Sequence, residues 1–595
     1  MADFLALAWP PAEERAEREA RVLENLIAGM DGWTSAWRRS GLAVLTRGSP
    51  PSAVRDLGDV VTVGVCLQKH RTTPYPGGAA KGQRPSSEVA ATLCDEAWGA
   101  YVGLVVEPHG LAVFRDPSGG LDCFAWSRGP IRIATSETGP LPSGLLPPHM
   151  GLNWQVIAQW CRDPGVAAGL LALDEVNAVP AGCLLELNDG PARVTPIWRP
   201  SRLVNRKRAG GGNVAAGLVN VVDLAVEGLV RPHARVLGEL SGGLDSAIVA
   251  SALVRCGLRD RAAGWLNYYD DRSEGDERAY AGAVADRLAL KLCCIEKPIA
   301  SLTESDFAAT AGGLRPAFGA VDPHRDRDTA ARLEPSGATA ILTGQGGDVV
   351  FFQMPTPLIV ADQVWHEGWR SLTPSRVGEA ARFARKSAWS VLAALARGHP
   401  AAQASFRRPG LAADCINAAP PTVDPWSADA VRLPPAKRYQ VTALFQTQLS
   451  LTGSRRRSAA DILSPLLSQP VVEYCLGLSI PELVEGRRER ALARRAFAER
   501  LPAMVTDRRS KGDLTAHYGR VIAASLGFLR PWLLDGCLCE VGLLDRAKLE
   551  AALDVDQLIL KPANGEILIA ALIEAWVRRW QTRVPDSPQA PRPRP

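Results

Sequence analysis

"RVLGELSGGLDSAIVAS" (residues 235–251) runs apolar residues straight into Ser-Gly-Gly-Leu-Asp-Ser and then resumes an apolar pattern. The spacing predicts a buried strand over "ARVLGEL" ending at Leu240, and a helix over "SAIVASALVRCGL" starting near Asp245 or Ser246. Ser241, Gly242 and Gly243 lie between them, small enough to let backbone N–H groups approach an anion, and the helix N-terminus adds a favourable dipole. The loop lacks the Lys-Ser/Thr of G-x-x-x-x-G-K-[ST]; it carries Asp245 instead, a carboxylate that beside a polyphosphate makes sense mainly as a magnesium ligand. Ser241 and Ser246 supply two hydroxyl donors. The bland alternative is a strand-to-helix turn with a capping Asp or Ser.

A second loop argues against the bland alternative. "LTGQGGDVVF" (342–351) also follows a predicted strand, "ATAILTG" (338–344), and also ends in glycines and a carboxylate, Asp348. Two such loops at neighbouring strand ends would present Asp245 and Asp348 to one pyrophosphate from two sides. A third element, "RRSKGD" (508–513), places Lys511 before a glycine in a basic loop, where it could neutralise charge developing on a phosphate or a tetrahedral intermediate.

Around these loops the chain divides. Residues 1–200 read as mostly sheet, with helical stretches at 11–29 and 152–162 and a hairpin in "GCLLELNDGPARVTPIW" turning at Asn188-Asp189-Gly190. Residues 201–213 are basic and glycine-rich, a linker. Within 214–584, strand ("AAGWLNYY", 262–269) and helix ("DERAYAGAVADRLAL", 276–290) alternate at first, which implies a parallel sheet with ligands beyond the strand carboxyl ends. From about 350 the pattern is largely helical, and 585–595 is a proline-rich tail expected to be disordered. "GGGNVA" (210–215) fits G-x-G-x-x-A but follows the linker instead of a strand, so no dinucleotide site is expected there.

Composition narrows the class. At 595 residues the chain is too long for one core, and 46% apolar with 22% charged residues is ordinary for a globular protein. No apolar run approaches the ~18 residues of a membrane span, and the N-terminus lacks the features of a secretory signal. The net charge of +5 is small, so the basic clusters "RRRS" (455–458) and "RRERALARR" (487–495) are expected to be solvated helix faces, not nucleic-acid sites. The 12 cysteines show no paired C-x-x-C knuckles, which favours reduced thiols and a cytoplasmic protein.

"SGGLDS", "GQGGD" and "LARRAFAERLPAMVTDRRSKGD" together resemble the ATP-pyrophosphatase domain of the asparagine synthetase family. "VFRDPSGGLDCFAW" and "VNAVPAGCLLEL…PIW" look like a degenerate form of that family's N-terminal glutaminase domain. The resemblance implies an Ntn-type sandwich followed by a parallel-sheet domain of the adenine-nucleotide α-hydrolase type. It implies ATP and Mg²⁺, activation of a carboxylate as its AMP ester, and amine attack to form an amide. Carried over by motif, Ser241, Gly242, Gly243, Asp245, Ser246, Gln345, Gly346 and Gly347 would bind ATP and its pyrophosphate, with Leu240 and Gly344 flanking the adenine. Asp245 and Asp348 would hold the metal, and Lys511 would stabilise the transition state. Asp276 and Glu277 match a family "DE" with a supporting role.

Two departures choose a branch within the resemblance. The family's glutaminases need a cysteine directly after the initiator methionine, and here Ala2 follows Met1, so no glutaminase activity is expected. The family's asparagine synthetases carry a glutamate where this chain has Gln345. Both departures point to an amine already present on the substrate, as in the family's lasso-peptide cyclases and β-lactam synthetases, and Gly-Gly-Asp after Gln345 with the length of 595 residues looks most like the lasso-peptide cyclase branch. There the substrate is a leader-cleaved linear core peptide, delivered by a leader-binding protein and a leader peptidase, with no nucleic acid or membrane involved. An ammonia-dependent asparagine synthetase and a β-lactam synthetase-like ligase are the competing enzyme readings, and a non-catalytic scaffold is the competing reading from another class.

Overall fold

The computed structural model describes residues 3–48, 53–77, 84–136, 139–204, 213–270, 275–396, 410–413, 423–485, 488–509, 512–560 and 563–584. Ala2, most of the basic linker, the glycines of "GGGNVA" and the tail 585–595 lie outside them.

The first half holds β1 (Asp3–Ala8), β2 (Trp33–Arg39), β3 (Leu42–Arg47), β4 (Val54–Asp56), β5 (Val61–Gln68) and β6 (Ala97–Glu107). It continues with β7 (Gly110–Arg115), β8 (Phe124–Arg128), β9 (Ile131–Thr135), β10 (Asn177–Ala178), β11 (Cys183–Leu187) and β12 (Arg193–Pro196). They form two six-stranded sheets, in the orders β10-β8-β9-β1-β3-β2 and β12-β11-β7-β6-β5-β4. The alternation in "DFLALA" explains the stacking. Phe4, Ala6 and Ala8 face Val61, Val63, Val102 and Val113 of the other sheet, while Leu5 and Leu7 pack on the opposite side with Leu23 and Ile27 of the helix Glu14–Ala28. The helix Ser86–Glu96 covers the second sheet through Val89 and Leu93 against Tyr101 and Phe114. The hairpin expected at Asn188–Gly190 is the antiparallel pair β11–β12.

The second half is built on a parallel sheet of β13 (Val236–Glu239), β14 (Ala262–Tyr269), β15 (Leu292–Glu296), β16 (Ala340–Leu342) and β17 (Asp461–Leu463). Its order is β15-β14-β13-β16-β17. The chain leaves β13 in one direction through β14 and β15, then returns to the other side of β13 as β16. That reversal makes the β13/β16 boundary the topological switch point, where a crevice opens beyond the strand carboxyl ends. Both glycine-rich loops start there. β15 and β17 are additions to the strands read from sequence.

The halves share one core, in which Trp160 of the first packs edge-on against Trp576 of the second with ring centroids 5.2 Å apart. Arg315, 2% exposed, crosses the junction to Asp122 at 2.9 Å and donates to the Ala167 carbonyl at 2.8 Å. The sandwich and the helix-flanked parallel sheet are the fold class that the motifs imply. Among the described residues no single helix is long and apolar enough to cross a membrane.

Candidate active site

β13 delivers the first loop. Leu240 is wholly buried (0% exposed); its N–H donates to the Leu266 carbonyl at 2.9 Å and its carbonyl accepts from Asn267 Nδ2 at 2.7 Å. Its side chain therefore belongs to the core and offers no surface to a ligand. Gly242 has φ +82°, and a Cβ there would lie 2.7 Å from the Glu277 carbonyl oxygen, so both conformation and contact require glycine. The two serines close the loop: Ser246 Oγ accepts from the Ser241 N–H at 3.2 Å and lies 3.2 Å from Ser241 Oγ, and Ser241 Oγ accepts from the Gly243 N–H at 3.3 Å. The helix Leu244–Arg255 starts immediately after Gly243.

The second loop packs directly on the first. A Cβ on Gly344 would lie 2.4 Å from the Ser246 nitrogen, and one on Gly347 would lie 2.4 Å from Asp245 Cγ. Gly346 takes φ +89° against Leu467. Thr343 Oγ1 accepts from the Gln345 N–H at 3.2 Å, which sets the turn that brings the loop down.

The contact brings two carboxylates to one point. Asp245 Oδ2 and Asp348 Oδ1 both accept from Nη1 of Arg490, at 2.9 and 3.2 Å, while its Nη2 donates to Glu489 Oε1 at 3.2 Å. Arg490 is 4% exposed and the Asp348 side chain 47% exposed, so the pair runs from the interior to the cleft. Burial disfavours the Arg490 charge, but Asp245, Asp348 and Glu489 outweigh it and hold the group charged beyond its usual range. Two carboxylate oxygens converging on one cationic nitrogen form a donor set that suits a hard divalent ion, which would complete its shell with phosphate and water oxygens. Asp245 and Asp348 thus fit the magnesium role that the motifs imply.

Arg490 corrects one expectation. It belongs to "RRERALARR", where a solvated face was expected, yet Arg490 and Arg494 are buried and only Arg495 of the helix Ala491–Ala496 has an open side chain. Carboxylates and backbone carbonyls explain this: Arg494 Nη1 donates to the Thr506 carbonyl at 2.9 Å, and burial followed by the neighbouring Arg490 and Arg488 charges lowers its pKa to about 10. "RRRS" differs likewise at Arg456, which donates to Glu239 Oε1 of β13 at 3.0 Å. No local signal marks Arg490 or Arg456, because Asp245, Asp348 and Glu239 lie far away in the chain.

Lys511 lies outside the described residues. Gly512 and Arg508 lie within them: the Gly512 N–H donates to Glu277 Oε1 at 2.7 Å, and Arg508 Nη1 reaches the same oxygen at 2.7 Å. Arg508 also stacks on Tyr280, 3.8 Å from the ring centroid. The Glu277 carbonyl borders Gly242, so one residue touches both the phosphate loop and the lysine loop. Asp276 turns instead to Arg278, at 2.7 Å.

Residues 218–578, well over half of the chain, match the family described as asparagine synthase. The chain belongs to the asparagine synthase family. This family consists of ATP-dependent, AMP-forming amide ligases, and the two loops and the convergent carboxylates described above fall inside the matched span. No curated protein matches the chain. Two solved structures are similar to it at low scores. One, described as the allosteric regulatory enzyme of purine biosynthesis, is 11% identical, with 51% of this chain and 76% of that one covered and a TM-score of 0.19. The other, glutamine phosphoribosylpyrophosphate amidotransferase from B. subtilis complexed with ADP and GMP, is 11% identical, with 58% and 81% covered and a TM-score of 0.18.

Proposed function

We propose that this asparagine synthase family member closes a macrolactam in a lasso peptide. It takes a linear, leader-cleaved core peptide, activates an Asp or Glu side-chain carboxylate with ATP and joins it to the peptide's own N-terminal amine. The observation that carries the activation step is the contact of the two strand-end loops with Asp245 and Asp348 on one cationic nitrogen.

In the first step a carboxylate oxygen attacks the α-phosphorus and the bond to pyrophosphate breaks, giving an acyl-AMP. Ser241, Ser246 and the backbone around Gly242 and Gly243 receive the leaving phosphates, and Gly346 and Gly347 line the opposite wall. Magnesium held by Asp245 and Asp348 would neutralise phosphate charge. Lys511, carried on the loop that Glu277 anchors, meets charge developing in the transition state. In the second step the peptide's amine attacks the acyl carbon, the bond to AMP breaks and an amide forms, for a net loss of one water.

Two observations support an internal amine over ammonia. Gln345 is neutral where the family's asparagine synthetases carry a glutamate. The described cysteines of the first domain are also poor nucleophiles, because a thiol must ionise to attack. Burial pushes the Cys66, Cys161 and Cys183 thiols up to about 12 and those of Cys94 and Cys123 well above their ordinary value. On this reading a leader-binding protein and a leader peptidase supply the substrate in the cytoplasm.

Ammonia-dependent asparagine synthesis fits the family match equally well. Incubating the protein with ATP and Mg²⁺, and either synthetic core peptides or aspartate plus ammonium, separates the two. The macrolactam reading expects AMP, pyrophosphate and a peptide lighter by one water; asparagine formation without any peptide product would refute it.

A further inference from the structure

A cleft of ≈ 1040 Å³ opens at Asp348, beside the convergent carboxylates. Five arginines line it: Arg382 and Arg385 from the end of the helix Pro374–Ala384, Arg488 beside Glu489, and Arg508 and Arg509 from the lysine loop. The lining carboxylates are Asp348 and Glu489, and both face Arg490, with Glu489 also 3.3 Å from Arg494. Arg508 is committed to Glu277, and Arg488 Nη2 donates to the Arg508 carbonyl at 2.9 Å. Among the described residues Arg382, Arg385 and Arg509 have no ion-pair partner. Met354 and Phe383 give the same wall apolar surface.

This combination says what the cleft takes. One reacting carboxylate would need at most one guanidinium, yet three stand without a carboxylate, and fork-shaped guanidinium groups suit planar oxyanions. The volume is at the top of the range for pockets that enclose a drug-sized ligand, too large for a free amino acid and open enough for a chain. Resting on the peptide reading above, we infer that this cleft is the peptide channel and that it selects a segment bearing several carboxylates, with Arg382, Arg385 and Arg509 as its specificity-determining side chains. The reacting carboxylate then approaches the phosphate loop past Asp348, while neighbouring acidic side chains and the chain's apolar groups rest on the arginine and Met354–Phe383 wall.

The test uses the full chain without ATP and two fluorescein-labelled peptides, one carrying four glutamates and the other four glutamines at the same places. The glutamate peptide should bind about tenfold more tightly at low salt, as expected for a few exposed ion pairs, and lose that advantage as salt is added. In R382Q/R385N, where asparagine suits the left-handed cap conformation of Arg385, the two peptides should bind alike. R509Q should weaken the preference on its own, which keeps the test open if the double variant misfolds. Equal binding of both peptides to the unaltered chain, or an undiminished preference in both variants, would overturn the inference. So would arginine-dependent binding of inorganic tripolyphosphate with no preference for the glutamate peptide, since the cleft would then serve the leaving phosphates. If the glutamate peptide binds through these arginines but synthetic core peptides incubated with ATP and Mg²⁺ give no product lighter by one water, the channel stands and the macrolactam reading is refuted instead.

Discussion

Asp245 and Asp348 accept from the same nitrogen of Arg490, at 2.9 and 3.2 Å, although one stands after β13 and the other after β16. Removing the shared cation leaves two carboxylates facing each other with Asp245 buried. Arg490→Met should therefore cost about 3 kcal/mol of stability in urea unfolding, in the range seen when one partner of a buried ion pair is removed. Millimolar Mg²⁺ should restore part of the loss, because the same oxygens can share a divalent ion. Unchanged stability, or no magnesium effect, would contradict the role given to this pair.

Gly344→Ala tests the contact between the loops. The new Cβ would meet the Ser246 nitrogen at 2.4 Å and its Cα at 2.6 Å, backbone atoms that cannot rotate away. Separating the loops should lower stability by about 1–3 kcal/mol, as overpacking does. It should also abolish peptide-dependent ATP–pyrophosphate exchange. Exchange at the wild-type rate would show that the contact is dispensable.

Much of this site is legible in the sequence because its signals are local. β13, β14 and β16 are apolar runs, and each glycine loop declares itself next to one of them. β15 escapes notice because it is an edge strand, "LCCIE", with Cys293, Cys294 and Glu296 exposed. β17 has three residues, too few to show a period. Arg490 is illegible for a different reason. In a run of arginines only the fold decides which one is buried, and its partners come from two distant loops. The same holds for Glu277, whose grip on Gly512 joins positions 235 residues apart.

That grip gives the third prediction. Glu277→Ala removes the acceptor of the Gly512 N–H and the ion-pair partner of Arg508, so the loop bearing Lys511 should drift. Turnover should fall about 100-fold, as small misplacements of a reacting group do, with peptide binding little changed. Glu277→Gln keeps one acceptor and should retain more activity than alanine. A loss confined to binding would contradict the positioning role. Lys511→Ala should abolish turnover outright.

Acid stability follows from Asp322, whose Oδ2 lies 2.6 Å from Lys297 Nζ. Burial raises its carboxyl, but the Lys297 charge and hydrogen bond outweigh it and leave the group at about 2. Burial also pulls the Lys297 ammonium below its ordinary value, yet in acid it stays charged, so the carboxylate sets the window. A folded pKa below the unfolded value stabilises fully above about pH 4 and ceases to do so as pH falls through 2, an amount of about 2 kcal/mol. Asp322→Asn keeps the cap on the Arg325 N–H. It should lower the urea midpoint at pH 6 and flatten its fall between pH 4 and 2. A variant whose profile parallels the wild type would contradict the assignment.

The central claim is that a peptide carboxylate becomes an AMP ester in this site. It is tested most directly by labelling both side-chain carboxylate oxygens of a core peptide with heavy oxygen and analysing the nucleotide product by mass spectrometry. Adenylation predicts AMP carrying one labelled oxygen and a macrolactam that retains the other. Unlabelled AMP, or label found in inorganic phosphate beside ADP, would contradict it.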